Sequence, residues 1–312
     1  MHYLFGPVNS RRLGRSLGLD LIPTKLCTFD CIYCEVGPKR AITCVRKEYA
    51  PLAEMLEEID RFLADAANAD SFDILTLTAS GEPTLHAGIG KLIAALKKRL
   101  DKPLAVLTNG SLLHDAAVRR DLAAADLVIP SLDAARLESY RRVNRPHPDI
   151  SLELLIDGIC RFSREFSGRL WLEILLVKNV NDQPQDIEAL QEAVERIAPD
   201  KIQINTVVRP PLEENAQPVP LQTLQDIAGR LGAGAEVIAS FKGEGRKDFH
   251  PVDPEAIIAM LRRRPCTEDD ICAALSYNKD LLVETLRQLK EAGRISLSRH
   301  DGIVYWTCGV SC

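Results

Sequence analysis

Three cysteines crowd into one short run. Lys25-Leu26-Cys27-Thr28-Phe29-Asp30-Cys31-Ile32-Tyr33-Cys34 spaces them as Cys-x3-Cys-x2-Cys. The chain carries nine cysteines over 312 residues. The number is odd, and a disulfide framework suits small secreted domains rather than a chain of this length. In a reducing compartment clustered thiols read as metal ligands, whereas scattered ones such as Cys44, Cys160 and Cys272 read as small buried hydrophobes. Three thiolates on one tight loop can each bind one iron of a cubane cluster. A closed structural site wants a fourth ligand close by, and the next cysteine, Cys44, is ten residues beyond Cys34. Three ligands for four irons leave one iron open, which is what metal chemistry on a bound substrate requires. The alternative is a zinc site completed by a distant residue.

A second pattern follows the apolar run Ile74-Leu75-Thr76-Leu77-Thr78. It reads Ala79-Ser80-Gly81-Glu82-Pro83-Thr84. A glycine lets backbone approach closely, and an ammonium beside a metal needs acceptors such as a carboxylate. Standing alone, Gly81-Glu82-Pro83 is as readily a turn. Further polar residues close later apolar runs: Asn109, Ser131, Asp133, Asn179, Asn181, Gln203 and Asn205. Asn109-Gly110 also reads as a turn, and Asn181-Asp182 as a helix cap.

Together the two patterns resemble the radical SAM superfamily. The resemblance implies that Cys27, Cys31 and Cys34 hold a [4Fe–4S] cluster, with S-adenosylmethionine (SAM) chelating the open iron. An electron from the cluster would cleave SAM to methionine and a 5′-deoxyadenosyl radical, which takes hydrogen from a substrate. It also implies an electron donor such as flavodoxin or ferredoxin. Gly81, Glu82 and Pro83 match the family's glycine–glycine–glutamate–proline motif that meets the SAM amino group, with Ser80 in place of the first glycine. Tyr33 stands where an aromatic residue packs near the adenine, and core packing explains it equally. Asn109, Ser131 and Asp133 lie where family members touch SAM's ribose and carboxylate. A narrower likeness begins at Phe5-Gly6-Pro7-Val8-Asn9-Ser10-Arg11-Arg12-Leu13-Gly14. It is to microbial radical SAM proteins described as related to the enzymes that make the tricyclic wyosine base of transfer RNA. Wyosine synthases carry a second cluster, and no cysteine precedes Cys27 here. The arginines of that entry, Arg11, Arg12 and Arg15, would bind phosphate or carboxylate, or form a solvated loop.

The elements that must position these residues alternate. Strands are expected at Ser16–Ile22, Ile74–Thr78, Leu104–Thr108, Leu127–Pro130, Leu170–Val177, Ile202–Asn205 and Glu236–Ile238. Amphipathic helices are expected between them, at Leu52–Ala66, Ile89–Leu100, Asp115–Ala124, Leu152–Phe166, Ile187–Ile197 and Leu221–Leu231. Steady alternation means a parallel sheet with crossover helices. Strands apolar throughout mean that both faces are covered. The fold class is therefore α/β, a partial (βα)6-type barrel whose sites form at the strands' C-terminal ends.

The pattern changes at His250-Pro251-Val252-Asp253-Pro254, a linker. Helices at Glu255–Arg263, Glu268–Leu275 and Lys279–Ala292 follow, then a hairpin of Ile295–Ser298 and Ile303–Trp306. That order is a winged helix, so the domains read 1–250 and 251–312. Such a module often reads nucleic acid with its third helix. Lys279, Arg287, Lys290, Arg294 and Arg299 are its cations, but residues 253–312 hold nine acids against eight bases, whereas nucleic-acid modules are plainly basic. The whole-chain charge of −5 gives no reason to expect a polyanion either. Cys308 and Cys312 could serve a second cluster with Cys266 or Cys272, although a frayed terminus fits better. No apolar run approaches the ~20 residues of a membrane helix, and no signal pattern opens the chain, so a cytoplasmic enzyme with no membrane partner is expected. Its substrate is unidentified. The rival function is an iron–sulfur redox sensor that binds nucleic acid through the winged helix. Gly81-Glu82-Pro83 speaks against it, because a sensor has no need of SAM.

Overall fold

A computed structural model of the chain describes residues 2–10, 12–22, 25–36, 41–238, 251–300 and 302–308. Arg11, His250, Asp301 and Cys312 lie outside them. Strands β1 (Leu4–Ser10) and β2 (Gly14–Asp20) form an antiparallel hairpin. The two-residue strands β3 (Leu26–Cys27) and β4 (Ala41–Ile42) pair with each other. The main sheet continues through β5 (Ile74–Thr78), β6 (Leu104–Thr108), β7 (Leu127–Pro130), β8 (Arg169–Leu176), β9 (Lys201–Thr206) and β10 (Ala235–Val237). Its order is β1-β2-β5-β6-β7-β8-β9-β10, and every pair after the hairpin is parallel.

Spatial order equals chain order in this sheet. Crossovers between parallel strands are right-handed, so with no reversal of direction every connecting helix falls on one face. These helices are α1 (Leu52–Leu63), α2 (Ala66–Ala69), α3 (Ile89–Lys97), α4 (Ala116–Leu122), α5 (Leu137–Val143), α6 (Leu152–Glu165), α7 (Pro184–Ile197) and α8 (Leu221–Leu231). The strand β8 shows the consequence. Leu170, Leu172, Ile174 and Leu176 are buried on the helix side, while Trp171, Glu173 and Leu175 are half-buried on the other face. The helix α6 shows how the outer layer is made. Ser151 caps it by accepting from the Leu154 amide, and Leu155, Ile156, Ile159 and Phe162 turn inward. Burying a side chain of that size contributes about 1.5–3 kcal/mol, and Leu172→Ala would cost about 2–5 kcal/mol with the cavity it leaves.

The sequence reading misses β1, the two-residue strands β3 and β4, and the short helices α2 and α5. Strand β1 contains Gly6-Pro7, which breaks a strand pattern; it survives because it is an edge strand with an irregular register between Phe5 and Val8. Helix α5 is only seven residues long, too short to show a period. The arginine entry is occupied by protein partners. Arg15 bonds both carboxylate oxygens of Asp73 and the Asp70 carbonyl, and Arg12 pairs with Glu173 at 2.7 Å. Of the scattered cysteines, Cys160 is buried, and Cys44 and Cys272 are half-buried.

After Pro251 come α9 (Pro254–Leu261), α10 (Glu268–Leu275) and α11 (Lys279–Glu291), then the hairpin strands β11 (Ile295–His300) and β12 (Ile303–Cys308). They share a small core of their own around Ile257, Ile258, Ile271, Leu282, Leu286 and Trp306. That core is not sealed from the sheet: Val8 of β1 packs against it, and Asn9 donates to the Ala273 carbonyl and the Ser276 hydroxyl.

Candidate metal and cofactor site

The cysteine loop is held on both sides. Cys27 ends β3, and its carbonyl accepts from the Thr43 amide. Beyond it the backbone zips onto residues 143–147: the His147 amide donates to Thr28, and the amides of Asp30 and Ile32 donate to Asn144 and Val143. Phe29 and Ile32 are buried, which pins the loop from beneath. The Cys34 amide bonds the Cys31 carbonyl and closes the turn between the last two thiols. Two amide side chains point at sulfur. Asn109 Nδ2 lies 3.5 Å from Cys27 Sγ, and Asn144 Nδ2 lies 3.5 Å from Cys31 Sγ. Such donors stabilise thiolate charge. Without metal, burial and then the nearby Asp133 carboxylate push the Cys31 thiol well above its usual range, so iron binding must displace its proton. Among the described residues no three His, Cys, Asp or Glu side chains gather around a single ion position. A cubane does not ask for that, since each thiolate takes a different iron. The donor set therefore fits a cluster.

The Gly81-Glu82-Pro83 turn sits directly on this loop. A Cβ at Gly81 would fall 1.4 Å from the Leu26 carbonyl oxygen, so only glycine fits. The Glu82 amide donates to that same oxygen at 3.0 Å. Pro83 then opens a short 3-10 helix, with Glu82 as its cap. The Glu82 carboxylate is buried and accepts from Thr84 N, Thr84 Oγ1, Thr108 Oγ1 and the Asn109 amide. Burial raises its pKa, and those four donors work in the opposite direction. Asn109, thus fixed at the end of β6, also donates to Thr28 Oγ1 at 2.8 Å.

A radical SAM superfamily model matches residues 21–192, more than half of the chain. The chain belongs to the radical SAM superfamily. Its cofactors are accordingly a [4Fe–4S] cluster and SAM. Its relatives include a UPF0026 protein of Synechocystis, 37% identical over 69% of this chain and 79% of that one. Another UPF0026 protein, from Methanocaldococcus jannaschii, is 29% identical over 98% of this chain and 96% of its own. A protein of Brachyspira hyodysenteriae named GTPase Obg is 32% identical over 98% of this chain, which spans only 45% of that protein's length. Among solved structures, a radical SAM methyltransferase from Sphaerobacter thermophilus superposes with a TM-score of 0.54 at 16% identity, over 71% of this chain and 65% of that one. Streptococcus suis SuiB bound to S-adenosylmethionine superposes with a TM-score of 0.51 at 15% identity, over 72% and 51%. Likeness at that identity shows a shared radical SAM fold.

The polar rim of this radical SAM barrel is more tightly bound than its sequence suggests. Asp133 is buried, and its carboxylate accepts from Tyr33 OH at 2.6 Å, Asn144 Nδ2 at 2.6 Å and the Leu175 amide at 2.9 Å. Burial pushes its pKa up to about 6 against these donors. Sequence analysis places Glu82 and Asp133 at SAM; the structure gives each carboxylate hydrogen-bond donors from the fold as well. Tyr33 has its ring packed against the core and its hydroxyl on Asp133. Ser131 bridges β7 to Glu173 through backbone. Asn181 donates to the Asp133 and Leu175 carbonyls, and Asn205 reaches Glu173; Asn179 lies farther out, its carbonyl on Arg142.

Two participants escape the sequence reading. Ser80 donates to Asp20, the last residue of β2, through both its amide and its hydroxyl. A polar residue ending an apolar strand was the available signal for Asp20. Asn144 follows no strand at all, and only the folded loop reveals it.

Proposed function

We propose that Cys27, Cys31 and Cys34 ligate the [4Fe–4S] cluster and leave one iron for SAM, and that the protein is a radical SAM enzyme acting on a substrate still to be identified. When bound, cluster and SAM together supply a 5′-deoxyadenosyl radical. The chain's own residues hold them. Gly81 clears space for its turn against Leu26, and Asn109 and Asn144 lend hydrogen bonds to sulfur. Asn109, Ser131 and Tyr33 border the cofactor, while Glu82 and Asp133 fix Asn109, Tyr33 and Asn144 in place. One observation carries the reading. Two motifs well separated in the chain meet at a backbone contact that only glycine permits, directly beside the first cysteine.

An electron donor of the flavodoxin or ferredoxin kind completes the reaction. We read residues 251–312 as a winged helix from its element order, and its cations favour a role other than nucleic-acid binding. Lys279 pairs with Asp269, Arg287 with Glu284 and Glu291, and Arg294 with Glu255. Among the described residues no helix is long and apolar enough to cross a membrane; the cytoplasmic setting is part of the proposal. The narrower likeness supports RNA-modification chemistry as the field in which to seek the substrate. The test is anaerobic reconstitution followed by dithionite and SAM. Formation of 5′-deoxyadenosine is expected; a fully loaded protein that never forms it would refute the proposal.

A further inference from the structure

The C-terminal unit is fastened to the cluster loop by a buried arginine. Arg209 follows β9, and its guanidinium is only 2% exposed. One nitrogen lies 3.2 Å from both carboxylate oxygens of Glu35, the residue after Cys34. The other lies 3.6 Å from Asp270 in α10. Burial opposes the charge of Arg209, and the two carboxylates outweigh it. A second arginine, half-buried, makes a similar tie from the other side. Arg263, just past α9, lies over the Phe5 ring at 4.1 Å and stands 3.9 Å from the carboxylate of Asp20. Asp20 in turn holds Ser80, beside Gly81. Between these ties is a cavity of about 170 Å³, walled by Asp20, Glu35 and Ser80 on the barrel side and by Met260, Arg263 and Arg264 on the other. The sheet is open, with β1 and β10 at opposite edges, and the unit reaches from β1 to the segment after β9.

The geometry points to a closing role: the C-terminal unit forms one wall of the active site, and Arg209 is the positioning residue that couples its seat to the order of the cluster loop. This rests on the reading that Cys34 is a cluster ligand. A buried arginine shared by two carboxylates makes each carboxylate sensitive to loss of the other's element, because removing one partner leaves buried charge imperfectly compensated. Such coupling is reciprocal. Looseness in α10 must therefore loosen residues 34–36, and the reverse.

The test uses the full chain and two substitutions in one helix cap. Asp270 has two duties: it meets Arg209, and it completes the capping box with Thr267. Asp270→Asn keeps an acceptor for the cap but loses the charge facing Arg209. Thr267→Ala breaks the cap and spares the ion pair. Hydrogen exchange of residues 32–36 is measured in the metal-free protein, and the rate of iron release to a chelator is measured after anaerobic reconstitution. Asp270→Asn should speed both by about ten-fold, the factor carried by 1.4 kcal/mol; Thr267→Ala should leave both near wild type. Glu35→Gln should in return speed exchange across α10. Equal effects of the two cap substitutions, or none from Asp270→Asn, would overturn the coupling. If the wild type takes up no cluster, the assignment of Cys34 fails instead, and exchange in the metal-free protein still decides the coupling.

Discussion

Gly81→Ala is the smallest change that should undo the site. The added methyl would fall 1.4 Å from the Leu26 oxygen and 2.4 Å from its carbonyl carbon, both backbone atoms with no rotamer to turn away. Real contacts of this kind stay beyond 3.0 Å, so the turn and β3 must part by at least 1.6 Å. That breaks the Glu82 amide bond to Leu26 and drags Glu82 from Thr108 and Asn109. Leaving one buried polar group unsatisfied costs about 1–3 kcal/mol. Gly229→Ala is the control, since nothing lies within 4 Å of that position in α8; alanine there should gain up to about 1 kcal/mol from helix propensity. Urea unfolding of the two metal-free variants, followed by circular dichroism, compares them. Gly81→Ala should unfold well before wild type and take up little iron, whereas Gly229→Ala should do neither. A Gly81→Ala protein as stable as wild type would refute the close-approach argument.

Three further outcomes follow from the same contacts. Glu82→Gln should lower stability by about 1.5–3 kcal/mol, because a charged acceptor of four donors is lost; unchanged unfolding would return Glu82 to a purely ligand-facing role. The Asp133 carboxyl is raised from 3.8 to about 6 in the folded chain, so its contribution to stability is greatest below pH 4 and declines as pH rises to about 6. Metal-free Asp133→Asn should lack that decline, and identical pH profiles for variant and wild type would count against the burial argument. Since Lys279, Arg287 and Arg294 are paired within the C-terminal unit, duplex DNA at physiological salt should bind no more tightly than the non-specific range of about 10⁻⁴–10⁻⁶ M, as read by fluorescence anisotropy; tighter binding would restore a DNA-binding role for that unit.

What the sequence shows plainly is what repeats locally. The strands Ile74–Thr78, Leu104–Thr108 and Leu127–Pro130 coincide with β5, β6 and β7, because runs apolar on both sides leave little choice. The three C-terminal helices and their hairpin were legible from the linker at Pro251–Pro254 that precedes them and from their own local patterns. The cysteine spacing stood out because all its members lie on one loop. The rest was hidden by distance along the chain. Glu35 and Arg209 are 174 residues apart, and Asn144 is 113 from Cys31. No local period announces such pairs. Glu82 and Asp133 were visible as polar residues at strand ends, but their donors come from other strands and loops, so their service to the fold was not.

The cluster assignment has the most direct test in iron stoichiometry and electron paramagnetic resonance of one anaerobic preparation, wild type beside a variant with serine at Cys27, Cys31 and Cys34. The account predicts about four irons per wild-type chain, a reduced-cluster spectrum that changes when SAM is added, and neither in the triple variant. A triple variant that keeps its iron, or a wild-type spectrum indifferent to SAM, would contradict it.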